Sequence, residues 1–130
     1  MEFPKDLRYS KTHEWIRYTE GKARIGISAF AVSAEQLGDI TLVELPEVGQ
    51  SFAANEPFGN IESVKSVSEI YAPFAGKVVA INAELDDSPE LLNESPYEGG
   101  WLLEMEPDDA ADMENLLDAA AYTALVASEA

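Results

Sequence analysis

Apolar and polar residues alternate in two runs near the N-terminus, HEWIRY (13–18) and KARIGI (22–27), on either side of TEGK (19–22). Period-two alternation around a short Gly-bearing connection predicts a β-hairpin. SAFAVSAEQLG (28–38) predicts a short helix, with Ser28 as N-cap, Gln36 and Leu37 at its end and Gly38 at C′. DITLVEL (39–45) predicts a strand stopped by Pro46, and PEVGQ (46–50) a turn. FGNIESV (58–64) and SVSEIYA (66–72) are two strand-like runs that meet at Lys65. PFAG (73–76) is a turn and KVVAIN (77–82) a strand. DDSPELLN (86–93) predicts one helical turn, with Ser88 as cap and Pro89 at the first position. WLLEME (101–106) is a strand, and the Ala- and Leu-rich stretch from Asp108 to the end is helical with a break near Asp118.

Six or more short strands with turn signals predict a mainly β protein, a sandwich or barrel with short helices and a C-terminal helix. An internal echo sharpens this. PEVGQSFAAN (46–55) and PFAGKVVAIN (73–82) share Pro46/Pro73, Gly49/Gly76, Ala53/Ala80 and Asn55/Asn82, and each reads as turn, strand, turn. The expectation is a β-sandwich of two similar halves with Lys65 between them. The 130 residues form one domain, its core sandwich over about 12–106 and its C-terminal helical segment over about 108–128.

Charge changes the picture at Lys65. The formal net charge is −17. Residues 1–24 carry six Lys or Arg against four Asp or Glu, whereas residues 25–130 carry two against 21. Lys65 and Lys77 are the two cations of that long acidic stretch. Such a chain repels nucleic-acid phosphate and anionic lipid and suits basic protein partners. No run of about 18 apolar residues is present, and the N-terminal MEFPKDLRYS reads as neither signal nor transit peptide, so the expected place is the cytoplasm. Without cysteine, the chain has no thiol nucleophile, zinc-thiolate site or redox chemistry of its own. No Ser/His/Asp set or phosphate-cradling Gly-rich motif is visible, so an enzyme is not expected. His13, Trp15 and Trp101 read as structural.

SVKS offers no Asn-Gly or Asp-Gly, so a type I turn with Val64 and Lys65 at its centre is expected. A lysine at such a tip is solvated and not tightly paired. It is either an ordinary surface residue or an amine presented for modification on a long stem.

THEW (12–15), QLGDITLVELPEVG (36–49), ESVKSVSEIYAPFAGKVVAIN (62–82), LLNESPYEGGWL (91–102) and AAYTAL (120–125) resemble, in that order, the H-proteins of the glycine cleavage system. The resemblance runs from about Tyr9 to Leu125, and ESVK followed closely by YAP is its most specific piece. It implies a barrel-sandwich hybrid of the lipoyl/biotinyl type and makes Lys65 the N6-lipoyllysine, the arm on which lipoic acid is carried. It implies a non-catalytic, monomeric carrier. The pyridoxal-phosphate-dependent P-protein loads an aminomethyl group from glycine onto the arm, and the T-protein passes the one-carbon unit to tetrahydrofolate. Dihydrolipoyl dehydrogenase then reoxidises the arm. Glu62 and Gly49 match positions that the lipoyl-attaching enzyme recognises. Glu14, Glu69 and Thr12 match contacts of the loaded arm. The stretch 28–38 is about two residues longer than usual in that family, which blurs the match of Gln36 to a polar residue near the arm. Glu69 stands where Asp is frequent, and Ser66 where Ala is frequent.

Four other readings stay beside this one. A biotin carrier would show Met on both sides of the lysine, where Val64 and Ser66 stand. A lipoyl domain of a 2-oxoacid dehydrogenase would be shorter, without the HEW region or the final helix. A lipoate-relay protein of the H type would donate lipoate to other proteins, and an acidic interaction module would leave Lys65 unmodified.

Overall fold

A computed structural model describes residues 2–129. Nine strands form two sheets: β1 (Arg8–Tyr9), β2 (Glu14–Thr19), β3 (Lys22–Ile27), β4 (Ile40–Glu44), β5 (Ser51–Phe52), β6 (Pro57–Ser63), β7 (Val67–Tyr71), β8 (Gly76–Ile81) and β9 (Leu103–Pro107). Helix α1 covers Leu91–Glu94 and α2 covers Ala119–Glu129, with 3₁₀ segments at Ala83–Asp86 and Ala110–Asn115. The larger sheet has the order β1-β2-β3-β9-β8-β5, and the smaller β4-β6-β7. Every pairing is antiparallel. The mainly β sandwich expected from the alternation is therefore present, as two sheets with no closed barrel among the described residues.

The predicted hairpin closes over Glu20 and Gly21, both at positive φ (54° and 81°), the backbone that a tight two-residue turn demands. The two echo segments pair with each other. Ser51 lies opposite Lys77 and Phe52 opposite Gly76, and the Val78 N–H donates to the Gln50 carbonyl at 2.8 Å. Advancing 51 and stepping back 77 by the 27-residue offset gives 78 and 50, so the contact repeats about a local two-fold axis.

The main core lies between the sheets, with Ile16, Ile25, Val43, Ile61, Ile70, Phe74, Val78 and Leu103 all buried. A second apolar cluster joins Phe3, Leu7, Tyr9, Trp15, Phe30 and Tyr122. It fastens the N-terminal residues and α2 onto β2, so the packed body reaches outside the stretch 12–106. β1 did not stand out in the sequence because two residues are too few to show alternation.

Two helix expectations are corrected. Residues 28–38 form successive turns. Phe30 and Val32 are both buried, but in different clusters, and residues two apart cannot share a helix face. The termini of the stretch still behave as expected: Ser28 Oγ accepts from the Ala31 N–H (3.3 Å), and Gly38 has φ +72°. In 86–93 the helix begins at Leu91 after Glu90, so Ser88 and Pro89 form the approach to it without a side-chain cap. The break in the C-terminal segment falls where predicted, and Asp118 Oδ1 accepts from the Ala121 N–H at 2.8 Å.

Trp15 lies opposite Gly26 across β2 and β3. A Cβ on Gly26 would fall 2.5 Å from the indole ring. The ring cannot step aside, because it is wholly buried and its Nε1–H donates to the Pro96 carbonyl at 2.8 Å. Gly26→Ala is expected to cost about 1–3 kcal/mol of stability, as overpacking does, seen as a lower urea midpoint with unchanged slope.

Candidate functional site

β6 and β7 run together to a tip at Val64 and Lys65, with Glu62 opposite Val67 as the last ladder pair. The turn departs from type I in how it closes. The Ser66 N–H donates to the Ser63 hydroxyl (3.1 Å), as does the Lys65 N–H (3.2 Å), while the Ser63 N–H donates to the Ser66 carbonyl (2.8 Å). Ser63 thus supplies through its side chain the acceptor that a type I turn takes from the main chain. The Val64 N–H donates to the Asp39 carbonyl at 3.1 Å, which ties the tip to the 33–39 stretch.

Lys65 is exposed, as predicted, but not free of contact. Its Nζ donates to the Ala34 carbonyl, and its stem passes over Gly38. None of the ion pairs among the described residues includes it. The contact is exposed, so water can replace the carbonyl when the amine leaves this position.

Beside the tip lies a cleft of about 300 Å³. Three walls make it: the β1–β2 turn with Thr12, His13 and Glu14, the 31–37 stretch with Ala31, Gln36 and Leu37, and β7 with Val67, Ser68 and Glu69. Ser66, next to Lys65, lies at its edge. The structure therefore brings Thr12, Glu14 and Glu69 into one cavity, with Gln36 among its lining in spite of the longer 28–38 stretch. Glu62 is half-buried on β6, three residues before Lys65.

Gly49 is not brought to this place. Ile40 pairs with Ser63 at the tip end of β4 and Glu44 with Asn60 further away, and Gly49 follows beyond that far end. It has φ +100°, and its N–H donates to the Val78 carbonyl at 2.8 Å. The residue answers a backbone requirement of the turn into β5.

Glu14 is buried. Ser10 Oγ and Thr12 Oγ1 each donate to its Oε1 at 2.5 Å. Burial pushes the carboxyl from 4.5 up to about 7, against the opposing pull of those hydroxyls. It is an acid poised near neutrality at the inner wall of a cleft. Ser10 was missed from the sequence. SKTHE places Ser10, Thr12 and Glu14 at even spacing, but only the left-handed backbone of His13 (φ 71°) gathers the three polar groups together.

His13 is a structural residue, as expected. Its Nδ1 is 2.8 Å from the Tyr122 hydroxyl and its Nε2 3.0 Å from Glu129 Oε1. The Tyr122 hydroxyl also meets Ser28 Oγ at 2.6 Å. Burial raises its pKa and keeps it protonated. One residue of α2 thus holds two walls of the cleft, the turn at His13 and the start of the 28–38 stretch. Tyr122→Phe leaves both partners short of a hydrogen bond and is expected to cost about 1–3 kcal/mol, measured by urea unfolding.

The fold has clear counterparts. The family model "Glycine cleavage H-protein" matches residues 7–129. The chain is similar to the glycine cleavage system H protein of Brevibacillus brevis, at 56% identity over 126 residues covering 97% of this chain and 98% of that one. It is similar to the protein of the same name from Bacillus subtilis, at 58% over 122 residues and 94% of each chain. Among solved structures it is similar to the glycine cleavage system H protein from Mycobacterium marinum, with a TM-score of 0.87 at 37% identity, covering 96% of this chain and 99% of that one.

Proposed function

The chain belongs to the glycine cleavage H-protein family, and on that premise we propose that it is the lipoyl-bearing carrier of glycine cleavage, with lipoate joined through an amide to Lys65. The observation that carries this reading is the placement of Lys65: a primary amine at a hairpin tip, held by one carbonyl, beside a cleft with a buried acid. These residues fit the group. Ser63 and Ser66 are small, so an enzyme can approach the amine from either strand. Attachment forms one C–N bond between Nζ and an activated lipoyl carbonyl. The activating group leaves with the bonding electron pair, and the ammonium gives up two protons.

When bound, lipoate supplies a dithiolane on a long stem, which takes the aminomethyl cargo and is afterwards reoxidised. The chain's own part is to position and shelter. The ladder below Glu62 and Val67 fixes the base of the stem. The cleft receives the far end and excludes water from it. Ionised Glu14 accepts a charge-assisted hydrogen bond from a cationic amine there, with Glu69 adding negative charge at the rim and Thr12 holding the carboxylate in place. Because Glu14 is half-protonated near pH 7, its grip on a cationic amine strengthens as pH rises through that value.

In this reading the chain performs no catalysis. It meets the P-protein, the T-protein, dihydrolipoyl dehydrogenase and a lipoyl-attaching enzyme, the last recognising Glu62. The proposed compartment is the cytoplasm, and no described helix is long and apolar enough to cross a membrane. The names of the relatives favour glycine cleavage over lipoate relay. The test is intact mass after exposure to lipoate, ATP and a lipoyl-attaching enzyme, where one lipoyl increment is expected.

A further inference from the structure

Among the described residues five large hydrophobic side chains are strongly exposed, and three of them lie on the Lys65 hairpin or the strand beside it: Leu42 (43% exposed), Val64 (69%) and Val67 (64%). Their arrangement follows the ladder. Leu42 on β4 lies opposite Glu62 on β6, and Glu62 lies opposite Val67 on β7. Directly paired residues point to the same side of a sheet, with Cβ atoms about 4.5–5.5 Å apart. The outer face of the small sheet thus carries a row of leucine, glutamate and valine, capped at the tip by Val64. The next row repeats the charge, with Glu44 and Glu69 on either side of Asn60. The inner face already holds Val43, Ile61 and Ile70, so the outer row adds nothing to the core. A β-branched residue beside a turn is ordinary, but an exposed leucine completing the same row across two further strands is not accounted for by strand propensity.

Reach decides which partner needs this row. An enzyme acting on the far end of the arm can meet it anywhere within its swing. An enzyme that forms the amide must bring a carbonyl to bonding distance of Nζ itself, and its body must then rest on the hairpin and the strands beside it. We infer that the row Leu42–Glu62–Val67, with Val64, is the docking surface for the lipoyl-attaching enzyme. That enzyme meets it with an apolar strip edged by Lys or Arg, which the flanking Glu44 and Glu69 complement. The inference rests on the carrier reading above and goes beyond Glu62 by assigning the recognition energy to its apolar neighbours, Leu42 and Val64 among them.

The test compares wild type, the double variant Leu42→Ser/Val64→Thr, which keeps the cleft-lining Val67, and the control Val48→Ser, which removes a comparably exposed apolar side chain (58%) elsewhere. Attachment of lipoate by one purified lipoate-protein ligase with ATP is followed by intact mass at varied carrier concentration. The double variant is expected to raise KM about tenfold or more at similar kcat, and the control to match wild type. Driven to full lipoylation with excess ligase, the double variant should be reduced by dihydrolipoyl dehydrogenase with NADH as fast as wild type. Equal KM values in wild type and double variant overturn the docking surface and leave the carrier reading standing. An equal rise in the control, or an equal loss with dihydrolipoyl dehydrogenase, also overturns it. A wild type that takes no lipoyl group sinks both.

Discussion

Lys65→Arg is expected to abolish glycine cleavage in a mixture of P-protein, T-protein, dihydrolipoyl dehydrogenase and this chain, while the fold stays as it is. Arginine keeps the charge and the length. Its guanidinium stays protonated at any pH the protein survives and offers no nucleophilic amine. The side chain is exposed and its hydrogen bond goes to a carbonyl, which arginine also satisfies, so stability should change by no more than about 0.5 kcal/mol. The measurement is glycine-dependent NADH formation beside a thermal melt. Activity above the level without carrier would show that the one-carbon unit travels by another group.

The second large effect is at Glu14. A carboxyl whose pKa is higher in the folded than in the unfolded state favours folding while it is protonated. That contribution is complete below the unfolded value of 4.5 and is lost as pH rises through about 7. At pH 8 the wild type bears the cost of a buried ionised carboxylate, up to roughly 3 kcal/mol. Glu14→Gln removes it, and the amide can still engage the Ser10 and Thr12 hydroxyls. The variant is expected to be the more stable protein at pH 8 and to lose the decline in stability between pH 5 and 8, as read by urea unfolding. It should also release its cargo sooner: the loaded form is expected to decay roughly tenfold faster at pH 8, because a neutral amide holds a cationic amine less well than a carboxylate. More stable yet worse at sheltering is the pair of outcomes that separates a functional acid from a structural one. A variant with unchanged pH dependence of stability and unchanged decay would remove Glu14 from the account.

Much of this was legible in the sequence because it depended on local pattern. Alternation located β2, β3, β4, β6, β7, β8 and β9, and the glycine and proline punctuation set their limits. Lys65 was marked by the ESVK motif and by being one of two cations in the long acidic stretch. What stayed hidden depends on contacts between distant parts. The 28–38 stretch has helical composition, yet Phe30 and Val32 are drawn into separate clusters, and the competing demands unwind it. Ser10 joins Glu14 only because His13 turns left-handed, and His13 does so where Tyr122, more than a hundred residues away, takes its ring.

The most direct test of the central claim is the mass of the attached group and its location. Wild type and Lys65→Arg are incubated with lipoate, ATP and a lipoate-protein ligase, then weighed intact and as peptides. The account predicts one lipoyl increment on wild type, confined to the peptide containing Lys65, and none on the variant. An increment on the variant, or on a wild-type peptide without Lys65, would contradict it.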